Sequence, residues 1–287
     1  MIMLRKCTEQ DYRKYADAVY GLALDPSRSG YPTYGDGIKT KEMFFERAEK
    51  AFSRETEEIL LFEYEGAVEG WIHYYSLPED NYLSTVSFNI DSHTEIALQE
   101  FLDFAQEQFK GYDLFLGYSK DNRAAINFLS NSGFECIEED YNNTAFLDHY
   151  EPVAVTDSVV RVTKENYGHF RNLHSHVESE MYWNSERIYA DIDNWIILAR
   201  ICNGEAVGSV YYMTNDDGWF EIFGMDRKED AFDPELFGEL LGKALNTARE
   251  LGGKFMTFFC NKQEQEIVGK LGFECVGEHV CYKKHLV

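Results

Sequence analysis

The sequence predicts an α/β fold, mixed α+β in kind, arranged as two tandem domains, each a mixed central sheet with helices on both faces. Three observations predict it. Asn122 is followed eleven residues later by Gly133, Phe134, Glu135 and Cys136, and Asn261 eleven residues later by Gly272, Phe273, Glu274 and Cys275, an offset of 139 positions. Upstream, Gly66 and Gly70 align with Gly204 and Gly208 at an offset of 138. Within each half the periodicities run in one order, strands first and then strand, helix, strand, helix, strand, which clothes both faces of a mixed sheet.

The elements follow in chain order. An opening strand ends at Thr8 in one half and Thr163 in the other, each followed by a matching lead residue, Tyr12 or Tyr167. Helical spacing covers 11–22 and 41–52 in the first half, and 166–178 and 186–190 in the second. Two alternating segments joined by a glycine turn read as a hairpin, 59–63 with 68–75 and 195–201 with 206–212. A further strand lies at 83–90 or 219–224. The long helix after it carries Ala97, Phe101, Phe104 and Ala105 in one half and Phe237, Leu240, Leu241, Ala244 and Ala248 in the other, apolar positions recurring every three or four residues. A strand at 114–118 or 255–259, a short helix and a last strand complete each copy. The boundary falls between 150 and 157, giving domains 1–150 and 151–287.

Composition narrows the partners. The formal net charge of −24 repels phosphate backbones and anionic membrane surfaces, so neither nucleic acid nor membrane is expected as a partner. The same field suits an amine and opposes an anionic cofactor unless the site is locally neutralised. The start is charged at Arg5 and Lys6, and no apolar run approaches the roughly 20 residues a spanning helix needs, so a cytoplasmic protein is expected. The six cysteines form no CxxC pair and are expected as reduced thiols, with no metal site.

The segment from Asn122 to Gly133 and Phe134, standing between the fifth strand and the last and repeated at Asn261, Gly272 and Phe273, resembles the closing motif of the GNAT superfamily of acyl-CoA-dependent N-acetyltransferases. The resemblance covers essentially the whole chain, once per half. It implies acetyl-CoA held where two neighbouring strands splay apart, its pyrophosphate on the amides that open the long helix. Asn122 and Asn261 become candidate cofactor residues on that ground.

Neither half carries the family's glycine-rich phosphate loop. In the first half His93 and Glu95 fall where the glycines belong, and Asp91 and Glu95 oppose an anion; as Asp91, Ser92, His93, Thr94 and Glu95 they also read as an ordinary helix start. In the second, Asp233 and Pro234 read as N-cap and first helical residue, while Arg227 and Lys228 stand just ahead and are the candidate phosphate partners. The tyrosine that in the family protonates the leaving thiolate is replaced by Leu129 and Val268. The N-terminal copy is therefore expected to be poor in cofactor binding and the C-terminal copy to be the active one.

Glu221 is the candidate general base, a carboxylate between Trp219 and Phe223 on one face of its strand. Its bland reading is a strand residue facing water. Tyr31 and Tyr34, with Tyr182 and Trp183, occupy the region that in the family forms the acceptor-side lip, and either line a substrate pocket or close the core. His174 and His176, two apart on a helix, cannot share an ion and read as a solvated face. The function expected is transfer of an acetyl group from acetyl-CoA to an amine of a small molecule or peptide. The alternative is a non-catalytic pair of such lobes that binds a ligand or a protein. The oligomeric state is not readable.

Overall fold

The computed structural model describes residues 2–176, 182–214, 218–229 and 231–287. Two compact units divide the chain: Met1–Asp140 together with Gly277–Val287, and Tyr141–Val276.

In the first unit β1 (Ile2–Lys6) leads into α1 (Glu9–Ala23). The Thr8 hydroxyl accepts from the Asp11 N–H at 3.2 Å and the Asp11 carboxylate accepts from the Thr8 N–H at 3.1 Å, so two orphan donors are satisfied reciprocally. After α2 (Lys41–Glu49) come β2 (Glu57–Tyr64) and β3 (Ala67–Leu77), joined by Glu65 and Gly66 at φ +51° and +87°. Two successive left-handed residues are what a tight two-residue hairpin turn requires. Then follow β4 (Tyr82–Ile90), α3 (Thr94–Gln108), β5 (Asp113–Ser119), α4 (Arg123–Asn131) and β6 (Glu135–Phe146).

The second unit repeats the plan. β7 (Val159–Arg161), α5 (Gly168–His174) and α6 (Ser185–Ala190) precede the hairpin of β8 (Trp195–Cys202) and β9 (Glu205–Thr214). Its turn, Asn203 and Gly204, has φ +51° and +84°, matching the first hairpin within a few degrees. β10 (Trp219–Arg227), α7 (Pro234–Glu250), β11 (Phe255–Cys260), α8 (Gln265–Lys270) and β12 (Glu274–His285) complete the chain. The part of the expected helix at 166–178 that lies beyond 176 is outside the described residues.

The closing strands are exchanged. β12 pairs antiparallel with β5, from His279 opposite Ser119 to His285 opposite Asp113, so the first unit's sheet runs β1-β2-β3-β4-β5-β12. β6 pairs with β11, from Tyr141 opposite Cys260 to Phe146 opposite Phe255, and the second unit's sheet runs β7-β8-β9-β10-β11-β6. The division at 1–150 and 151–287 follows the sequence repeat, whereas the compact units part within β6 and β12. Both closing strands open on Glu-Cys but share little beyond it, so the sheet each one completes is decided by its pairing partner.

Each sheet buries both faces. In the first unit Phe88, Phe101, Leu102 and Leu129 pack under α3 and α4, while Tyr12, Phe44, Ala48 and Trp71 pack under α1 and α2. In the second, Phe220, Ile222, Leu240 and Leu241 lie on the α7 side and Phe170, Ile188, Trp195 and Tyr211 on the α5 side. Burial of each such large side chain stabilises by about 1.5–3 kcal/mol, which is what fixes the strand register of both sheets. Leu129 and Val268 are fully buried members of these cores.

Candidate functional site

The parallel ladders are short in both units. β4 meets β5 only from Tyr82 to Ser84, and β10 meets β11 only from Trp219 to Ile222, so in each unit two parallel strands diverge toward their C-terminal ends. Each diverging strand also carries a bulge on its other edge. In β10 the pairing with β9 steps from Ile222 to Gly224 and skips Phe223; in β4 it steps from Ser87 to Thr85 and skips Val86. A bulge leaves one residue's backbone outside the ladder and kinks the strand, so the polar groups of the splay are aimed away from their neighbours.

The first unit's splay is filled by its own chain. The Gly30 N–H donates to the Phe88 carbonyl of β4 at 2.7 Å, the Ile90 N–H donates to the Arg28 carbonyl at 3.0 Å, and the Tyr31 N–H donates to the Gly117 carbonyl of β5 at 2.8 Å. Ser29 and Gly30 are buried. Asn122, expected to meet a cofactor, is fully buried and serves the protein itself: its Oδ1 accepts from the Ala125 N–H at 3.1 Å, capping α4, and its Nδ2 donates to the Ser29 carbonyl at 3.3 Å. Tyr31 is in the filled splay, its ring 4.8 Å from that of His279, and Tyr34 is 8% exposed in the core against Phe44. Tyr34 thus closes the core. The helix start differs too: His93, at φ +59°, precedes α3 without a capping side chain, its ring stacked 3.9 Å from Tyr64 and hydrogen-bonded to Glu69 at 2.9 Å. An acyl-CoA does not fit this unit as it stands.

Two polar groups beside the filling segment lack partners. The Asn89 side-chain amide and the Tyr118 hydroxyl are buried with no hydrogen bond, and Ser29 and Gly30 bridge to these same two residues. An unmade bond of this kind costs about 1–3 kcal/mol.

In the second unit no described segment bonds across β10 and β11 beyond Ile222 and Phe258. Glu221 is half-buried, opposite Met213 of β9 and Thr257 of β11. It shares its face with Trp219, whose indole N–H donates to Thr257 Oγ1 at 2.9 Å, and with Phe223, whose ring meets Trp195 at 5.2 Å and Trp183 at 6.4 Å. The carboxylate therefore stands on the aromatic face rather than the α7 face. Tyr182 is 43% exposed, lies 5.1 Å from Trp183 and carries the Arg187 guanidinium over its ring at 4.2 Å.

The segment bearing Trp183 is tied to β10 by a pair that the sequence disguised. His174 was expected on a solvated face and is fully buried, its Nδ1 3.0 Å from the Asp226 carboxylate and its Nε2 2.8 Å from the Trp183 carbonyl. Both ring nitrogens therefore lie within hydrogen-bond distance of an oxygen, one on β10 and one on the Trp183 backbone. Asp226, on β10 past the bulge, also accepts from the Ser209 hydroxyl at 3.3 Å. A histidine followed two residues later by another suggested only metal or solvent; the partner lies 52 positions on.

At the start of α7 the expected cap is present. The Asp233 carboxylate accepts from the Glu235 and Leu236 N–H groups at 3.0 and 3.1 Å, so the amides an anion would use already hold one. Lys228 pairs with Glu205 at 2.6 Å, and the Arg227 guanidinium lies 5.5 Å from the Phe232 ring centre. Both cations line a cavity of about 730 Å³, with Arg200 and Val207 from β8 and β9 and Leu236 and Glu239 from α7. No β11 residue lines it, so the cavity and the splay are different places. Asn261 is exposed and closes a turn, accepting from the Gln263 and Glu264 N–H groups at 2.8 and 3.2 Å. The helix end of the second unit does not offer a pyrophosphate free amides.

Among the described residues no group of three or more His, Cys, Asp or Glu side chains could hold a metal ion, and no helix is long and apolar enough to cross a membrane. No two cysteines are bonded.

No family model and no curated protein matches the sequence. Solved structures match the fold over the full length. A GCN5-related N-acetyltransferase from Sphaerobacter thermophilus superposes with a TM-score of 0.67 at 11% identity, covering 99% of this chain and 95% of that one. The glucosamine N-acetyltransferase region of a fungal multi-domain GH3 β-N-acetylglucosaminidase gives 0.63 at 10% identity, covering 99% of this chain and 38% of that one. A tandem GNAT protein from the clavulanic acid biosynthesis pathway gives 0.52 at 12% identity, covering 99% and 98%. The chain has the fold of the GCN5-related N-acetyltransferases, in a tandem arrangement.

Proposed function

We propose that the second unit transfers an acetyl group from acetyl-CoA to an amine of a small molecule or peptide. The observation that carries this reading is Glu221, half-buried on the aromatic face of β10 and two residues from the bulge at Phe223. Bound acetyl-CoA would supply an activated carbonyl. The chain's own residues do the rest: Glu221 takes a proton from the incoming ammonium, and the backbone freed at Phe223 offers a donor to a developing oxyanion. Trp183 and Tyr182, held by the His174 contact, would bound the acceptor's path. Arg227 and Lys228 are the nearest cations for the phosphates, in place of the amides that Asp233 occupies.

A second reading, a non-catalytic ligand-binding or interaction module, is favoured by that same Asp233 cap. Thermal unfolding with and without acetyl-CoA separates the two, because a ligand that binds only the native state raises the midpoint by mass action. A rise, with acetyl transfer to a panel of amines, supports the first reading; no rise at saturating acetyl-CoA overturns it.

A further inference from the structure

We infer that the splay of the first unit is a peptide-binding slot occupied in cis, with residues 28–31 as its resident ligand, and that no cofactor enters it. The inference is independent of acyl transfer in the second unit.

The segment behaves as a strand inserted between β4 and β5. Ser29 bridges antiparallel to Asn89 on one wall and Gly30 to Tyr118 on the other. Its main chain is bonded to both walls through the Arg28 carbonyl and the Gly30 and Tyr31 N–H groups, and a second carbonyl, that of Ser29, takes the Asn122 side chain. Few backbone groups are left for water. Neighbouring strands stand about 4.8 Å apart, so walls separated by one extra strand leave room for that strand and nothing beside it.

Fit is as tight as bonding. A Cβ at Gly30 would lie 3.1 Å from Phe88 Cβ, 3.3 Å from the Gly117 carbonyl and 3.4 Å from the Tyr118 ring. A side chain at Gly30 would require Phe88 or the Gly117 carbonyl to give way by a few tenths of an ångström. The ends are anchored separately: the Arg28 guanidinium pairs with Asp91 at 2.6 Å, the Ser29 hydroxyl donates to the Asp25 carbonyl at 2.9 Å, and the Tyr31 ring packs against His279. The ligand class this slot accepts is an extended peptide with small residues at its centre, here serine and glycine, recognised through its main chain.

Hydrogen–deuterium exchange on the full chain, read by mass spectrometry over residues 27–33, tests this with and without acetyl-CoA. The Gly30 and Tyr31 amides should exchange roughly a hundredfold or more slower than an exposed loop, and acetyl-CoA should not change them. Loop-like exchange, or protection lost on adding acetyl-CoA, would overturn the inference. The measurement without acetyl-CoA decides it even if the protein binds no cofactor anywhere. As a second test, Gly30→Val should lower the unfolding midpoint relative to Ser27→Ala, an exposed neighbour outside the slot, without raising the number of acetyl-CoA molecules bound per chain. An unchanged midpoint, or one extra equivalent of acetyl-CoA, counts against it.

Discussion

The Asn122 side chain donates to the Ser29 carbonyl at 3.3 Å, joining the closing motif of the first repeat to a segment 93 residues earlier. Its counterpart Asn261 is exposed and serves only a local turn. Replacement by alanine should therefore separate the two copies. Asn122→Ala loses a helix cap and strips a donor from a buried carbonyl, a loss of about 2–4 kcal/mol. Asn261→Ala should cost about 1 kcal/mol or less. Urea unfolding of the two full-length variants measures the difference, and equal losses would contradict it.

Tyr118→Phe tests the unpaired hydroxyl beside Gly30. Removing a buried polar group that has no partner relieves its desolvation cost, so the variant should be as stable as the parent or more so, by up to about 1–2 kcal/mol. A loss above about 1 kcal/mol in chemical denaturation would reveal a partner for the hydroxyl.

His279 gives the first unit a pH dependence. Burial holds its pKa down to about 4, below the ordinary histidine range, and burial lowers that of His73 too, against the opposing pull of Glu57. Between roughly pH 6.5 and 4 the unfolded chain takes up a proton that folded His279 refuses, so the contribution is fully present above pH 6.5 and is lost as pH falls through this window. Each such group contributes a slope of at most about 1.4 kcal/mol per pH unit. Melting temperatures of the parent and His279→Gln, followed from pH 7.5 to 4, should converge toward the acidic end. Parallel curves would remove His279 from the account.

Asp226→Ala should remove an acceptor from the buried His174 ring, and leaving a buried polar group without its partner costs about 1–3 kcal/mol. Asp226→Asn, which keeps an acceptor, should lose less. If the order of the two variants in equilibrium unfolding is reversed, the pair does not hold the fold as described.

Glu221→Gln preserves size and removes basicity. Where acetyl transfer is measured, the rate at neutral pH should fall by about 10²–10⁴, with the deficit shrinking as pH rises and the amine loses its proton unaided. A variant as active as the parent at neutral pH would leave Glu221 as a strand residue facing water.

Much of the fold was legible because its signals are local. The paired left-handed turns at Gly66 and Gly204, the apolar faces of α3 and α7, and the Asp233 and Pro234 start all depend on residues within a few positions of one another. The candidate site was legible only in part. Glu221 between its aromatics follows from strand alternation, but the roles of Asn122, His174 and Tyr34 depend on partners that sequence spacing does not reveal.

The sequence by itself determined that there are two copies of one strand and helix order, where each hairpin turns and which helix faces are apolar. These are decided by backbone sterics and hydrophobic periodicity over a dozen residues at a time. Only the tertiary structure decided which closing strand completes which sheet, since β12 pairs with β5 and β6 with β11, partners far apart in the chain that local spacing does not reveal. It also decided that Ser29 and Gly30 fill the first splay, a choice made by hydrogen bonds to Phe88 and Gly117, residues brought close by the packing of the whole unit.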